Sequence, residues 1–171
     1  RVEGSAVVRQ RNHFPGIWDT NVIAGRVVGV PWYVDTRVLF YNRETLDAAG
    51  VTAPPRTWAE WRSAMAAVKA RVGRDRYAIL LPTDEWAQVV LLAEQAGSTL
   101  LREGDRFGAF RQPAFRTALE VYVGMFTDRL APALDRNQVA NVYQQFAEGH
   151  FAMYLTGPWN LGEFRRLPAT L

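Results

Sequence analysis

The 171 residues suffice for one domain with a real hydrophobic core, and 49% hydrophobic against 22% charged is an ordinary globular balance. A net charge of +3 with scattered Lys and Arg argues against a nucleic-acid partner, and the absence of cysteine excludes disulfides and thiolate metal sites without locating the protein. No apolar run is long enough to span a membrane, so this segment is not expected to insert into one, and no leader pattern stands at its start. Six Trp, six Tyr and nine Phe exceed what a core of this size usually needs, so some rings are candidates to face a ligand.

Residues 1–12 are polar and basic around Ala6-Val7-Val8, a frayed helix or an arm. Phe14-Pro15-Gly16-Ile17-Trp18-Asp19 reads as a loop, and Val22-Ile23 with Val27-Val28 as a short hairpin around Ala24-Gly25-Arg26. Val38, Leu39, Phe40 and Tyr41 form a β-prone apolar run suited to a strand buried on both faces. Trp32, Tyr33, Asp35 and Arg37 lie at its entry. They make it a candidate wall of a binding cleft, or an ordinary strand with its polar groups in water.

Arg43 to Gly50 reads as a short helix closed by glycine. After the stiff Pro54-Pro55 segment, Thr57 and Glu60 form a capping box. Trp58, Trp61, Met65, Val68 and Val72 then recur at helical spacing, a core-facing stripe. Tyr77 to Leu81 is a buried strand whose C-terminal loop, Pro82-Thr83-Asp84, is where open α/β sheets place ligands. A helix is expected from Glu85 to Ala96, burying Val89, Val90, Leu92 and Ala93. Residues 98–112 suit a short hairpin ending at Phe107 or Phe110. Pro113 opens a helix that ends near Leu130, with Phe115, Ala118, Leu119, Tyr122, Val123 and Phe126 on its inner face. Another helix is expected over Gln138 to Glu148, then a buried strand over Phe151 to Leu155 running into Thr156-Gly157-Pro158-Trp159-Asn160. The start of a last helix breaks at Pro168. Strands alternating with helices indicate an α/β domain.

Three segments stand out in order: G-V-P-W-Y-V-D-T-R-V-L-F-Y-N at 29–42, P-P-x-T-W-x-E at 54–60, and F-A-E-G-H-F-A-M-Y-L-T-G-P-W-N at 146–160. Together they resemble the extracellular solute-binding proteins of ABC importers, in the branch similar to maltose-binding protein. The resemblance implies a periplasmic-binding-protein-like lobe of class II type, a mixed sheet flanked by helices and incomplete relative to the two-lobe family fold. Residues 1–37 would be a first-lobe remnant with the crossover segment, and 38–171 the second α/β lobe. Ser98 stands where the family commonly has a second glycine.

A sugar packs its C–H faces on aromatic rings and needs donors and acceptors for its hydroxyls. Trp159 follows a buried strand and the rigid Gly157-Pro158 pair, and the resemblance implies that it stacks on a sugar ring; the alternative is a cap over the sheet. Asp35 matches a position where a carboxylate accepts from sugar hydroxyls, or it is a hinge or surface residue. Glu85 is expected in the first turn of a helix, which favours an anion. It matches a family carboxylate near the sugar, or serves only as a capping charge. Trp86 and Trp32 are stacking candidates weighed against core or rim packing. Ala87 stands where maltose-binding protein has a ring two residues after the carboxylate, a role Trp86 would have to assume from a different direction. Tyr33, Arg37 and Asn160 complete the ligand-binding candidates, Asn160 either donating to a hydroxyl or capping the last helix.

Asp35 and Glu85 could be imagined as a glycosidase pair. No nucleophile elbow, phosphate loop or metal cluster accompanies them, and His13 and His150 have no partner at ligand spacing. The expectation is therefore no enzyme, no metal and no cofactor. It is a substrate-binding component that takes a mono- or oligosaccharide in an interlobe cleft, closes by hinge motion and delivers it to the ABC permease's transmembrane subunits. The implied location is periplasmic or extracellular, with lipid anchoring of a full-length protein left open. The alternatives are a binder of a non-sugar solute, such as a polyamine or peptide, and an orphan lobe without independent binding.

Overall fold

A computed structural model describes residues 7–167; Ala6 and the expected break at Pro168 lie outside the described residues. The chain forms two compact units, Arg1–Thr36 and Arg37–Leu171.

In the first unit a 3-10 turn at Gln10–Asn12 precedes helix α1, Pro15–Asp19. The loop expected at Phe14 to Asp19 is thus a short helix. Pro15 occupies its first turn, where a fixed φ and a missing N–H cost nothing. Trp18 is buried on it, with the His13 ring 5.2 Å away. Strands β1 (Val22–Ile23) and β2 (Arg26–Val27) pair antiparallel, and the turn places both Ala24 and Gly25 at positive φ, as a two-residue hairpin loop requires.

The second unit runs β3 (Val38–Tyr41), α2 (Arg43–Ala48), α3 (Trp58–Val72), β4 (Tyr77–Leu80), α4 (Ala87–Gln95), β5 (Leu101–Arg102), β6 (Phe107–Gly108), α5 (Pro113–Thr127), α6 (Val142–Ala147), β7 (Phe151–Thr156) and α7 (Leu161–Phe164). Its main sheet has the order β3-β7-β4. β3 is antiparallel to β7, with Leu39 opposite Leu155, and β4 is parallel to it, with Ile79 opposite Met153. The expectation that β3 is buried on both faces is corrected. It pairs with β7 alone among the described strands, and Val38 and Tyr41 are exposed. β7 is the strand that reads and behaves as interior.

Local chemistry explains the helices. The Thr57 hydroxyl accepts from Glu60 N at 3.1 Å, and the Glu60 carboxylate accepts from Arg56 N at 2.7 Å, one residue upstream of the usual capping-box partner. Trp61, Met65 and Val68 are buried, and Trp58 and Val72 pack against them. Fully burying a side chain such as Met65, Ile79 or Met153 contributes roughly 1.5–3 kcal/mol relative to leaving it exposed.

On α5 the buried stripe runs through Ala118, Val121, Tyr122 and Met125. Leu119 and Val123, expected inside, are exposed, each one residue and so roughly 100° round the helix from that stripe. Helix α6 is also shorter than its apolar pattern suggests. The Asp135 carboxylate accepts from Asn137 N and Gln138 N, which holds that segment in a turn. Asn141, at φ 37°, then caps the helix through Gln144 N. Helix α4 likewise begins later than expected: Glu85 N donates to Pro82 O, so Glu85 belongs to the turn before the helix rather than to its first turn.

Candidate functional site

At the end of β7 the chain turns through a 3-10 helix, Pro158–Asn160. Asn160 holds this turn from inside. It is buried, its amide donates to Thr156 Oγ1 at 2.9 Å and Gly157 O at 3.3 Å, and its Oδ1 accepts from the Tyr143 hydroxyl. The side chain expected to donate to a ligand hydroxyl or cap the last helix is thus committed within the fold. Burial, with Glu163 and Tyr154 contributing, pushes the Tyr143 hydroxyl above its ordinary pKa. Above this anchor the Trp159 ring lies across Gly157, where an added Cβ would stand 1.8 Å from a ring carbon. The glycine is required here for space, since its φ of −96° suits any residue. Trp159 itself is 59% exposed.

Arg37 joins this ring to a carboxylate. Its guanidinium carbon is 5.0 Å from the centroid of the Trp159 ring, and its NH2 is 3.7 Å from Glu85 Oε1. Both side chains are largely buried, at 15% and 22% exposure. The other Glu85 oxygen lies 3.8 Å from Arg136 NH1. Arg136 is itself fixed by Asp84, donating from Nε to Oδ2 at 2.9 Å and from its backbone N to Oδ1 at 3.1 Å. The Arg136 hydrogen bond holds the Asp84 carboxyl below its usual range, and Asp84 raises the Arg136 guanidinium. Two carboxylates and two guanidiniums leave this cluster with balanced charge. Both Glu85 contacts are longer than a hydrogen bond, so its oxygens keep capacity to accept from ligand hydroxyls.

The structure therefore brings Arg37, Glu85 and Trp159 together and makes Asn160 their internal support. Trp86, next to Glu85, is 73% exposed. In the first unit Trp32 and Tyr33 are 94% and 74% exposed, and Asp35 is exposed too. Of the remaining tryptophans, Trp18 and Trp61 are buried and Trp58 is half-buried. Sequence reading missed Arg136, Tyr143 and Asp84 as parts of this cluster. Arg136 sits in an aperiodic loop and meets its partner 52 residues away. Among the described residues no group of three His, Asp or Glu could hold a metal, and no helix is long and apolar enough to cross a membrane.

The profile of the bacterial extracellular solute-binding protein family matches residues 7–165. The chain belongs to that family. The structure of the sugar-binding protein MalE from Xanthomonas citri superposes on this solute-binding protein with a TM-score of 0.87 and 48% identity, covering 96% of this chain and 42% of that one. The arabinooligosaccharide-binding protein of Halalkalibacterium halodurans is 25% identical over 143 residues, 82% of this chain and 32% of that protein. The diacetylchitobiose binding protein DasA of Streptomyces coelicolor is 24% identical over 140 residues, 81% of this chain and 32% of its own length. The chain thus spans a minority of the length of these solute-binding proteins, and its mixed α/β architecture is the periplasmic-binding-protein-like fold, incomplete relative to the MalE structure.

Proposed function

We propose that this chain forms part of the receptor of an ABC importer, binding a neutral mono- or oligosaccharide and delivering it to the membrane permease outside the cytoplasm. The observation that carries the reading is the Arg37–Glu85–Trp159 cluster: an exposed indole beside a carboxylate whose charge is already met by guanidiniums. The indole offers a stacking surface for C–H groups, while Glu85 and the arginines offer an acceptor and donors for hydroxyls. That pattern suits a polyhydroxylated neutral solute better than an amine, which would have to compete with Arg37 and Arg136 for Glu85. The sugars named for the Halalkalibacterium and Streptomyces relatives, and the MalE likeness, support the same class. Trp86, and Trp32, Tyr33 and Asp35 of the first unit, are proposed as additional ligand contacts. Loading would close two lobes about a hinge in the complete receptor, and no chemical step is required.

The test is calorimetric titration of a two-lobe receptor in which the remaining sequence is supplied from the Xanthomonas relative, against a panel of saccharides and amines at two salt concentrations. Saturable saccharide binding with little salt dependence is expected, because stacking and hydroxyl hydrogen bonds are barely screened. Saturable binding of an amine that weakens with salt, with silence across the saccharides, overturns the reading.

A further inference from the structure

The parallel strands β4 and β7 give the second unit two unlike ends. The ligand cluster follows their C-terminal ends, Glu85 after β4 and Trp159 after β7. Before their N-terminal ends the fold gathers cations that lie apart in the sequence. Lys69 and Arg71 stand in the last turn of α3, and Arg74 and Arg76 in the loop from there to β4. Arg129 arrives from the end of α5, beside Leu130, whose carbonyl accepts from Ala78 N and Ile79 N of β4. Arg76 reaches across to Gly149, just before β7, with its NH1 3.5 Å from where a Cβ would stand. Arg71, Arg74, Arg76 and Arg129 are exposed, and among the described residues none of them is in an ion pair.

Lys69 fixes the loop from inside. Its ammonium donates to the carbonyls of Gly73, Arg74 and Arg76 and lies 4.5 Å from the centroid of the Tyr77 ring. Burial and the Arg129 guanidinium push this ammonium below its usual pKa, with Asp75 acting in the opposite sense. A helix C-terminus favours a cation, which accounts for Lys69 and Arg129 at the ends of α3 and α5 but not for Arg74 and Arg76 beyond the helix. Of the acids beside these cations in the chain, Asp128 is paired with Arg62, and Glu148 is engaged by Gln144 and His150. The excess positive charge is therefore presented to solvent. Guanidiniums match phosphate oxygens with two parallel hydrogen bonds. No large hydrophobic side chain is exposed in 69–77 or 128–130, so the apolar centre of a protein–protein interface is lacking. We propose that this end of the second unit docks on the anionic phospholipid headgroups of a bilayer. The ligand cluster, at the other ends of the same strands, then points away from the headgroups. The proposal does not depend on the saccharide reading and shares no residue with it.

Co-sedimentation with phosphatidylcholine vesicles, with and without phosphatidylglycerol, tests it on the longer receptor completed from the Xanthomonas relative. The receptor is expected to pellet with the phosphatidylglycerol vesicles, less so as salt rises, and to stay in solution with phosphatidylcholine alone. Arg74→Gln, Arg76→Gln and Arg129→Gln together should weaken vesicle binding by about fivefold per arginine. The same three positions changed to Lys keep their charge and should keep most of the binding. Three exposed arginines elsewhere, Arg106, Arg111 and Arg116, changed to Gln should leave binding nearly unaltered. A receptor that ignores the anionic vesicles at low salt overturns the proposal. So does equal weakening by the two Gln triples, which would mean that only net charge is read, or a Lys triple as weak as its Gln counterpart, which would mean that charge did not bind. Tighter binding to polyglutamate than to the vesicles at the same salt overturns the lipid assignment in favour of an acidic polypeptide.

Discussion

Arg37 and Trp159 are held against each other, guanidinium over indole at 5.0 Å, by a carboxylate that neither the strand nor the turn of either residue provides. Glu85 supplies it from the loop between β4 and α4. A cation over a Trp face contributes about 0.5–1 kcal/mol when exposed and about 2 kcal/mol when desolvated, and Arg37 is mostly buried. Arg37→Ala should therefore loosen the indole and lower saccharide affinity of the completed receptor severalfold. Arg37→Lys should restore little of it, because an ammonium lacks the planar fork. Titration of both variants measures this, and unchanged affinity in both would place the pair outside the binding surface.

Gly157→Ala makes a sharper distinction. Its methyl would occupy the place of the Trp159 ring, and the exposed ring is free to swing aside. The expected result is a changed Trp159 fluorescence and weaker saccharide binding with a melting temperature close to that of the parent chain. A large fall in melting temperature would instead show that the ring cannot yield.

Tyr143→Phe removes the donor to Asn160 Oδ1 and leaves that buried oxygen without its partner. Stability should fall by about 1–3 kcal/mol, the range for an orphaned buried polar group. Urea unfolding of the 171-residue chain gives the value. A loss near zero would mean that the turn after β7 does not depend on this bond.

Asp84 carries a pH signature. Its folded-state pKa is lowered by Arg136, so the stability linked to this pair is present above the unfolded carboxylate value, about 3.9. It is lost as pH falls through the lowered folded value. A carboxyl-carbon NMR titration should show Asp84 with a midpoint below the ordinary range, and Arg136→Gln should move that midpoint up. Identical midpoints in the two proteins would refute the pairing in solution.

The fold was legible where one signal acted alone. The stripe from Trp61 to Val68, the proline that opens α5 and the apolar run of β7 all led to the observed elements. Boundaries failed where side chains competed with periodicity. Asp135 and Asn141 divert the backbone before α6, and a hydrogen bond to Pro82 keeps Glu85 out of α4. β3 misled because an edge strand and an interior strand can carry the same four apolar residues. In the candidate site, a tryptophan after Gly-Pro is conspicuous in sequence. Arg136 is not, since its meaning lies in a contact between distant loops, and the burial of Asn160 depends on Tyr143 from another helix.

The order β3-β7-β4 also bears on how the chain is made. Among the described strands β3 and β4 do not pair with each other; each pairs with β7, the last of those strands to be synthesised. A nascent chain that has emerged only through α5 holds two sheet strands but lacks the strand that pairs with both. Their closure waits for contacts distant in sequence, which are slow to form and leave unpaired edges open to other chains. The interval before Phe151 to Thr156 becomes available is therefore when the edges of β3 and β4 stand open to pairing with other chains.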